Sequence, residues 1–308
     1  MDQLHLFRTL IAAIDGGSLS AAAKLLGISQ PAASQQITLL ESKLRKELLF
    51  RTSRGVRPTE AGRLVYQSAN TIIDQLNILE ENLGSLDNSL SGKLRITAPL
   101  AIGQKLIAPI VFDMQAKYPG LDITLKLNDL LMDLVRDRFD LAIRVGALGK
   151  SEGVARKIGD LDLVLVASPD FVKTHGNPRA PADLTGLQMI RYREDTTKNL
   201  ELIRQGKNYS AEVATSFIFD NTDVILNALY RGIGFTKFPR VLIQNQIEQG
   251  VLEQLLPDYR LPSKPIYLLY PSRQSLSRRA EAFIDQLLCL LCKTEGITPA
   301  RGNSWRAA

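Results

Sequence analysis

The chain has little with which to do covalent chemistry. Its 308 residues include two histidines and two cysteines. His5 lies in the apolar run "LHLFRTLIAAI" and His175 in a polar stretch flanked by proline and glycine, so neither has the paired surroundings of a triad or metal site. No phosphate-cradling Walker loop is present, and "RGIGF" lacks the third glycine and the helix of a dinucleotide fingerprint. These absences point away from an enzyme, and no cofactor or metal is expected. No apolar run reaches the length of a membrane span, and "MDQLHLFRTL" lacks a signal peptide's basic start and apolar core, so a cytoplasmic, membrane-free protein is expected. Cys289 and Cys292 fall in "FIDQLLCLLCK" and read as small core hydrophobes of a last helix; a redox pair is the alternative.

Charge is moderately basic, +6 with a pI near 9.3, but residues 1–90 balance nine Lys/Arg against nine Asp/Glu. Location matters more than the total. Between Lys43 and Arg63 seven basic residues face only Glu47 and Glu60, a cluster suited to phosphates.

Just upstream, "SLSAAAKLLGISQPAASQQITLLESKL" reads as two short helices around a Gly-Ile-Ser corner. Leu19, Ala22, Ala23 and Leu26 share one helical face, Ser18 or Ser20 can cap its start, and Gly27 can end it. Ser29 caps the second helix, with Pro31 in its first turn, where a missing N–H costs nothing. Ile37, Leu40 and Leu44 carry the buried stripe onward, while the small residues Ala21, Ala22, Ala32 and Ala33 permit close crossing. An ordinary helical hairpin has the same signature, but the basic stretch "FRTSRGVRPTEAG" that follows favours DNA. Its Gly-Val-Arg-Pro reads as the turn of a hairpin wing.

The stretch "GSLSAAAKLLGISQPAASQQITLLESKL" followed by "FRTSRGVRPTEAG" resembles the winged helix-turn-helix of LysR-type transcriptional regulators. Two departures are visible: Arg45 stands at the family's usual turn glycine, and Leu49 at its usual phenylalanine. The second helix would enter a major groove with its amino-terminal residues at base edges. Gln30, Pro31, Ser34 and Gln35 are the base-edge candidates, since glutamine can pair two-pronged with adenine and proline can pack on a thymine methyl. Ser29, Arg51, Thr52, Arg54, Arg57 and Thr59 are expected to hold phosphates.

From Glu60 to Leu90, Val65, Ile72, Leu79 and Leu86 recur every seven residues, and Ala69, Leu76, Leu83 and Leu90 repeat at the same period. Such heptads predict a helix that pairs with a second copy; one amphipathic helix packed on its own domain is the alternative. Val65, Ala69, Ile72, Leu76, Leu79, Leu83 and Leu86 are thus expected to dimerise the chain, placing two recognition helices on a roughly palindromic duplex target. The resemblance also implies a tetramer built from two such dimers.

"DNSLSGKL" breaks that helix, and strands then alternate with helices: "KLRITAPL", "LIAPIVFDMQAKYPG", "LDITLKLND", "LLMDLVRDRF", "DLAIRVG". The second half repeats the pattern through "LDLVLVASPDFV", "QMIRYRE", "SFIFDNTDVILNALYRGIGFTKFP", "IYLLYPS" and "SLSRRAEAFIDQLLCLLC". Crossover connections and a parallel sheet follow from this alternation. Two α/β lobes joined near Arg144 to Ala147 and Tyr267 to Ser272 would leave a cleft, a layout resembling the LysR-family effector domain and its periplasmic-binding-protein-like fold. The expected division is a mainly α winged helix-turn-helix at 1–59, a linker helix at 60–91, a two-lobed α/β effector domain at 92–295, and a loose polar tail at 296–308.

Ligands of open α/β sheets bind outside the carboxyl ends of strands. The effector candidates are therefore Ala98, Pro99, Leu100 and Ala101, Asn128 and Asp129, Arg144 and Gly146 at the expected crossover, and Asn221, Thr222, Thr236 and Lys237. Helix starts after Leu100 and Asn221 would offer free N–H groups to an anion, which favours a carboxylate metabolite. Asn221 could instead simply cap its helix, Asp129 could cap "LLMDLVRDRF", and Arg144 could stabilise a hinge. A solute receptor without DNA function would leave the helix-turn-helix and heptads purposeless. A nonspecific architectural DNA protein would need no cleft. A small-molecule-controlled, sequence-specific regulator uses every part.

Overall fold

A computed structural model describes residues 2–52, 55–83, 90–130, 134, 137, 139–148, 153–193, 199–271 and 276–300. The described residues fall into two compact units, the first lying within residues 2–90 and the second beginning at residue 91.

The first unit begins with three helices, α1 (Gln3–Asp15), α2 (Leu19–Leu26) and α3 (Gln30–Leu44). Ser18 caps α2 by accepting the Ala21 N–H, Gly27 ends it at φ 65, and Ser29 caps α3 by accepting the Ala32 N–H. Leu6, Leu10, Ala13, Ala22, Ala33, Ile37 and Leu40 are buried, so the alanines do sit where helices cross; Leu44, at 36 % exposure, leaves the stripe. Burying a leucine or isoleucine stabilises by about 1.5–3 kcal/mol, so these few side chains hold the bundle.

The chain leaves α3 through Arg45 at φ 52, whose N–H returns to Ser42 while that of Lys46 returns to Glu41. The Glu41 carboxylate then accepts the N–H groups of Leu48 and Leu49. This clamp fixes the entry to an antiparallel hairpin, β1 (Leu49–Thr52) and β2 (Gly55–Pro58). Gly-Val-Arg-Pro is therefore the second strand of the wing and not its turn: Gly55, at φ 126, lies against the Gly17 carbonyl, and the Val56 N–H bonds that same carbonyl at 2.8 Å. Helix α4 (Glu60–Leu83) follows. At Gly62 a Cβ would stand 1.9 Å from the Leu48 carbonyl oxygen, so only glycine lets α4 start this close to β1.

The second unit has two lobes. Lobe one is a six-stranded sheet in the order β15-β6-β14-β5-β3-β4, built from β3 (Gly92–Ala98), β4 (Leu121–Leu127), β5 (Leu141–Val145) and β6 (Val154–Leu161), with β14 (Lys264–Tyr270) and β15 (Ile297–Pro299) returning from the carboxyl end. Between β3 and β4 run a helical turn α5 (Leu100–Ile102), a π-helical turn (Gly103–Ile107) and α6 (Ala108–Lys117). Lobe two holds β7 (Leu163–Ala167), α7 (Pro169–His175), β8 (Gln188–Tyr192), a hairpin of β9 (Asn199–Arg204) and β10 (Lys207–Glu212), β11 (Ala214–Phe219), α8 (Thr222–Tyr230), β12 (Thr236–Pro239), α9 (Arg240–Glu248) and β13 (Glu253–Leu255). Helix α10 (Arg278–Lys293) buries Phe283, Ile284, Leu287, Leu288 and Leu291.

Four expectations are corrected. The sheets are mixed: β3 is parallel to β4 and β5 and β8 to β11, but β14 runs antiparallel to β5 and β6, and β7 antiparallel to β12 and β13. The chain crosses between lobes at 161–163 and 256–263, so Arg144 and Gly146 belong to lobe one and not to a hinge. Residues 297–299 pair with β6 and the Ala300 N–H bonds Ile158, because Ile297 is apolar and buried; the tail is not loose from 296. Cys289 and Cys292 are exposed, since the buried stripe of α10 runs through its leucines.

Candidate functional site

The first unit presents an exposed surface along α3. Ser29, Gln30, Pro31 and Gln35 are exposed and Ser34 is half-buried, on the side opposite Ile37 and Leu40. The wing strand leans onto this surface: Arg51 donates from Nη1 to Ser34 Oγ at 3.0 Å and from Nη2 to Thr38 Oγ1 at 3.5 Å. Thr52 and Arg57 are exposed on the two wing strands, while Arg54 lies outside the described residues. Thr59 is a correction. It is 9 % exposed, its hydroxyl donates to the Glu47 carbonyl at 2.7 Å and accepts the Gly62 N–H at 2.9 Å, so it caps α4 and has nothing left for a phosphate.

The heptad side chains divide. Ala69 is fully buried in the core of the first unit and Val65 packs against that core, so the seam starts on its own domain. Leu76 is half-buried, while Ile72 and Leu79 are 44 % and 52 % exposed on α4. The side chain of Leu83, and Leu86 and most of "LLMDLVRDRF", fall outside the described residues.

In lobe one, the carboxyl ends of β3 and β4 meet. The Asn128 N–H bonds the Ala98 carbonyl at 2.9 Å, and Asn128 Oδ1 accepts the Leu130 N–H. Ala98 is buried, with Pro99, Leu100 and Ala101 half-buried beside it. The Asp129 carboxylate accepts the Leu100 N–H at the start of α5 at 3.1 Å, while its expected role as a cap for "LLMDLVRDRF" lies outside the described residues. In lobe two, Asn221 Oδ1 accepts the N–H groups of Asp223 and Val224 at 2.8 and 3.2 Å, with Thr222 half-buried next to it. Both helix starts expected to receive an anion are therefore filled by the protein's own side chains. Thr236 is buried and bonds the Ile190 carbonyl, and Lys237 is half-buried in β12 opposite Leu165. Gly146 turns the chain at φ 90 and bonds the Pro265 carbonyl.

Arg144 is the outlier. It is 6 % exposed on β5, its Nη1 donates to its neighbour's carbonyl, and its Nη2 has no hydrogen-bond partner among the described residues. Burial pushes its pKa below the ordinary arginine value, partly offset by the charge of Asp129. An arginine holds its proton regardless, so this is a buried cation lacking full compensation. Two residues at the end of "QMIRYRE" act on Asp129: Arg193 Nη1 donates to its carbonyl at 3.0 Å, and Tyr192 feels its charge. Burial and the Asp129 charge raise the Tyr192 pKa to about 12. The carboxyl end of a strand, the signal that marks the other candidates, is present in "QMIRYRE" as well. Among the described residues no group of three or more His, Cys, Asp or Glu could hold a metal, and no helix is long and apolar enough to cross a membrane.

A helix-turn-helix with a wing, joined to a two-lobed α/β unit with a buried cation near its strand ends, defines a ligand-responsive DNA-binding regulator. Comparison with known proteins gives the family. Residues 4–63 match the bacterial regulatory helix-turn-helix protein, lysR family, and residues 87–291 match the LysR substrate binding domain. The chain belongs to the LysR family of transcriptional regulators. It is 32 % identical over 90 % of its length to an uncharacterized HTH-type transcriptional regulator of Haemophilus influenzae, covering 96 % of that protein. It is 30 % identical to the HTH-type transcriptional activator AaeR of Escherichia coli, with 93 % of each chain covered. Among solved structures it resembles the full-length Vibrio cholerae virulence activator AphB, at 27 % identity, TM-score 0.57, and 94 % and 99 % coverage. The fold also matches CrgA of Neisseria meningitidis, at 24 % identity, TM-score 0.58, and 92 % and 97 % coverage. These relatives are regulators of transcription, not enzymes, and the family binds operator DNA and small-molecule effectors as oligomers.

Proposed function

We propose that this LysR-type regulator senses a small carboxylate bound between its lobes, with Arg144 as the anchor. The observation that carries the reading is Arg144 itself: a guanidinium 6 % exposed, with Nη2 unpartnered, is costly unless an anion completes it. Pro99, Leu100 and Ala101, half-buried after β3, would wall the ligand, and Asn128, Thr222, Thr236 and Lys237 would offer it polar groups. The helix starts at Leu100 and Asn221 are not part of the anion site, since Asp129 and Asn221 occupy them.

On DNA, Gln30, Pro31, Ser34 and Gln35 read base edges while Ser29, Arg51, Thr52, Arg54 and Arg57 hold phosphates. What supports this is the exposure of Ser29, Gln30, Pro31 and Gln35 on α3 and of Arg51, Thr52 and Arg57 on the wing. The exposed Ile72 and Leu79 on α4 favour pairing with a second copy, and hence a roughly palindromic operator read by a dimer or tetramer in the cytoplasm. Thermal melting across a panel of carboxylates tests the effector reading. A binder should raise the midpoint of the native protein and not of Arg144→Met; equal shifts in both would remove Arg144 from the site.

A further inference from the structure

Helix α10 carries two thiols on its outer face. Phe283, Ile284, Leu287, Leu288 and Leu291 take its buried stripe, and Cys289 and Cys292 are left exposed, three residues apart. Cysteine is ordinarily among the most buried residues, so a pair facing water at helical spacing is unusual. The turn that bears it is held in shape. The Thr294 N–H and hydroxyl donate to the Leu291 and Leu290 carbonyls, at 3.4 and 2.7 Å respectively. Beyond it, Glu295 pairs with Arg240 at 3.4 Å, the Gly296 carbonyl accepts the Asp162 N–H, and Ile297 enters the sheet beside Leu161.

This fixed geometry decides what the two thiols can do together. Residues three apart on a helix hold their Cβ atoms about 5–6 Å from each other, whereas a disulfide needs about 3.5–4.5 Å. A bond between the two sulfurs would require the anchored turn to unwind. A sulfur–metal–sulfur bridge is longer: two collinear bonds of about 2.3 Å set the sulfurs about 4.6 Å apart, within reach of side chains that lean toward each other. Among the described residues no group of three His, Cys, Asp or Glu could hold a metal, so the pair works with its two sulfurs alone. Zinc, which takes four ligands, does not fit; a soft ion content with two sulfurs does.

We infer that Cys289 and Cys292 form a two-sulfur site for a soft, two-coordinate cation of the Cu(I) class. Both residues stand outside the DNA and effector readings. On binding, each thiol releases its proton to solvent as its sulfur–metal bond forms, with no change of oxidation state. The resulting bis-thiolate is an anion, and exposed Lys293, four residues after Cys289, brings a positive charge to the same helical face.

The test uses the full chain, reduced and free of oxygen, titrated with Cu(I) against the chromophoric chelator bathocuproine disulfonate. The native chain should withdraw one Cu(I) per chain without a change of oligomeric state by light scattering, since each ion is held within one helix. Cys289→Ser and Cys292→Ser should each bind at least about 100-fold more weakly, because a lone sulfur lacks the effective concentration of the second. Their thermal midpoints should match the native chain, both positions being exposed. No withdrawal by the native chain, or a serine variant with native affinity, overturns the shared site. Half an ion per chain with growth in mass shows bridging between chains and overturns it equally. Treatment with oxidised glutathione should leave free thiols or mixed disulfides; a mass loss equal to the two thiol hydrogens shows an internal disulfide and overturns the geometry that selects the metal.

Discussion

Arg51 on the first wing strand donates a 3.0 Å hydrogen bond to Ser34 on the recognition helix, so two residues seventeen apart in sequence form one surface unit. A guanidinium fixed in this way meets DNA with fewer rotamers to lose. Ser34→Ala and Arg51→Ala should therefore be coupled, with a double-mutant cycle on DNA affinity giving about 0.5–1.5 kcal/mol. Additive losses would separate the two.

Thr59 has a structural duty in place of its expected phosphate. Replacing its hydroxyl in Thr59→Val leaves the Gly62 N–H without its cap, and should lower the unfolding free energy of the first unit by about 1–2 kcal/mol. The dependence of DNA affinity on salt should stay as in the native chain, because no phosphate contact is lost. Denaturant melts and salt titrations read the two effects separately.

Arg45 occupies a backbone conformation that an L side chain adopts at a cost of about 1–2 kcal/mol. Glycine there loses more chain entropy on folding, by about 0.4–1 kcal/mol. The difference leaves Arg45→Gly more stable by about 0.5–1 kcal/mol, measured by denaturant unfolding.

What the sequence could and could not disclose follows from distance along the chain. The caps Ser18 and Ser29, the αL exit at Gly27 and the alanine crossing are all set within a few residues, and each lies where the pattern puts it. Arg45 was legible as a displaced turn glycine only through the resemblance to the family, and its φ of 52 agrees. Partners far apart were not legible: Asp129 bonds Leu100, 29 residues away, and Arg193, 64 away, so its local reading as a cap for the next segment missed both. Local apolarity misled at "CLLC", where the leucines take the buried stripe and the cysteines are left outside. Burial of Arg144 was equally hidden, since it depends on β14 folding back beside β5 from more than a hundred residues downstream.

Tyr192 links the cleft to pH. Its pKa rises from 10.0 to about 12 in the folded chain, so its contribution to stability is fully present below pH 10 and is lost as pH climbs through about 12. Ultraviolet titration of tyrosinate should show a late-ionising component that Tyr192→Phe removes, and alkaline unfolding of that variant should have a shallower pH dependence.

The central claim is that the leading edge of α3 reads bases, and selection of bound duplexes from a random pool addresses it most directly. The native chain should enrich a roughly two-fold symmetric sequence. Gln30→Ala should relax one position in each half-site at a cost of about 1–3 kcal/mol, while Arg57→Ala weakens all sequences alike and lowers the salt slope by about 1. If Gln30→Ala enriches the same sequence as the native chain with unchanged preference at every position, α3 is not the reading element.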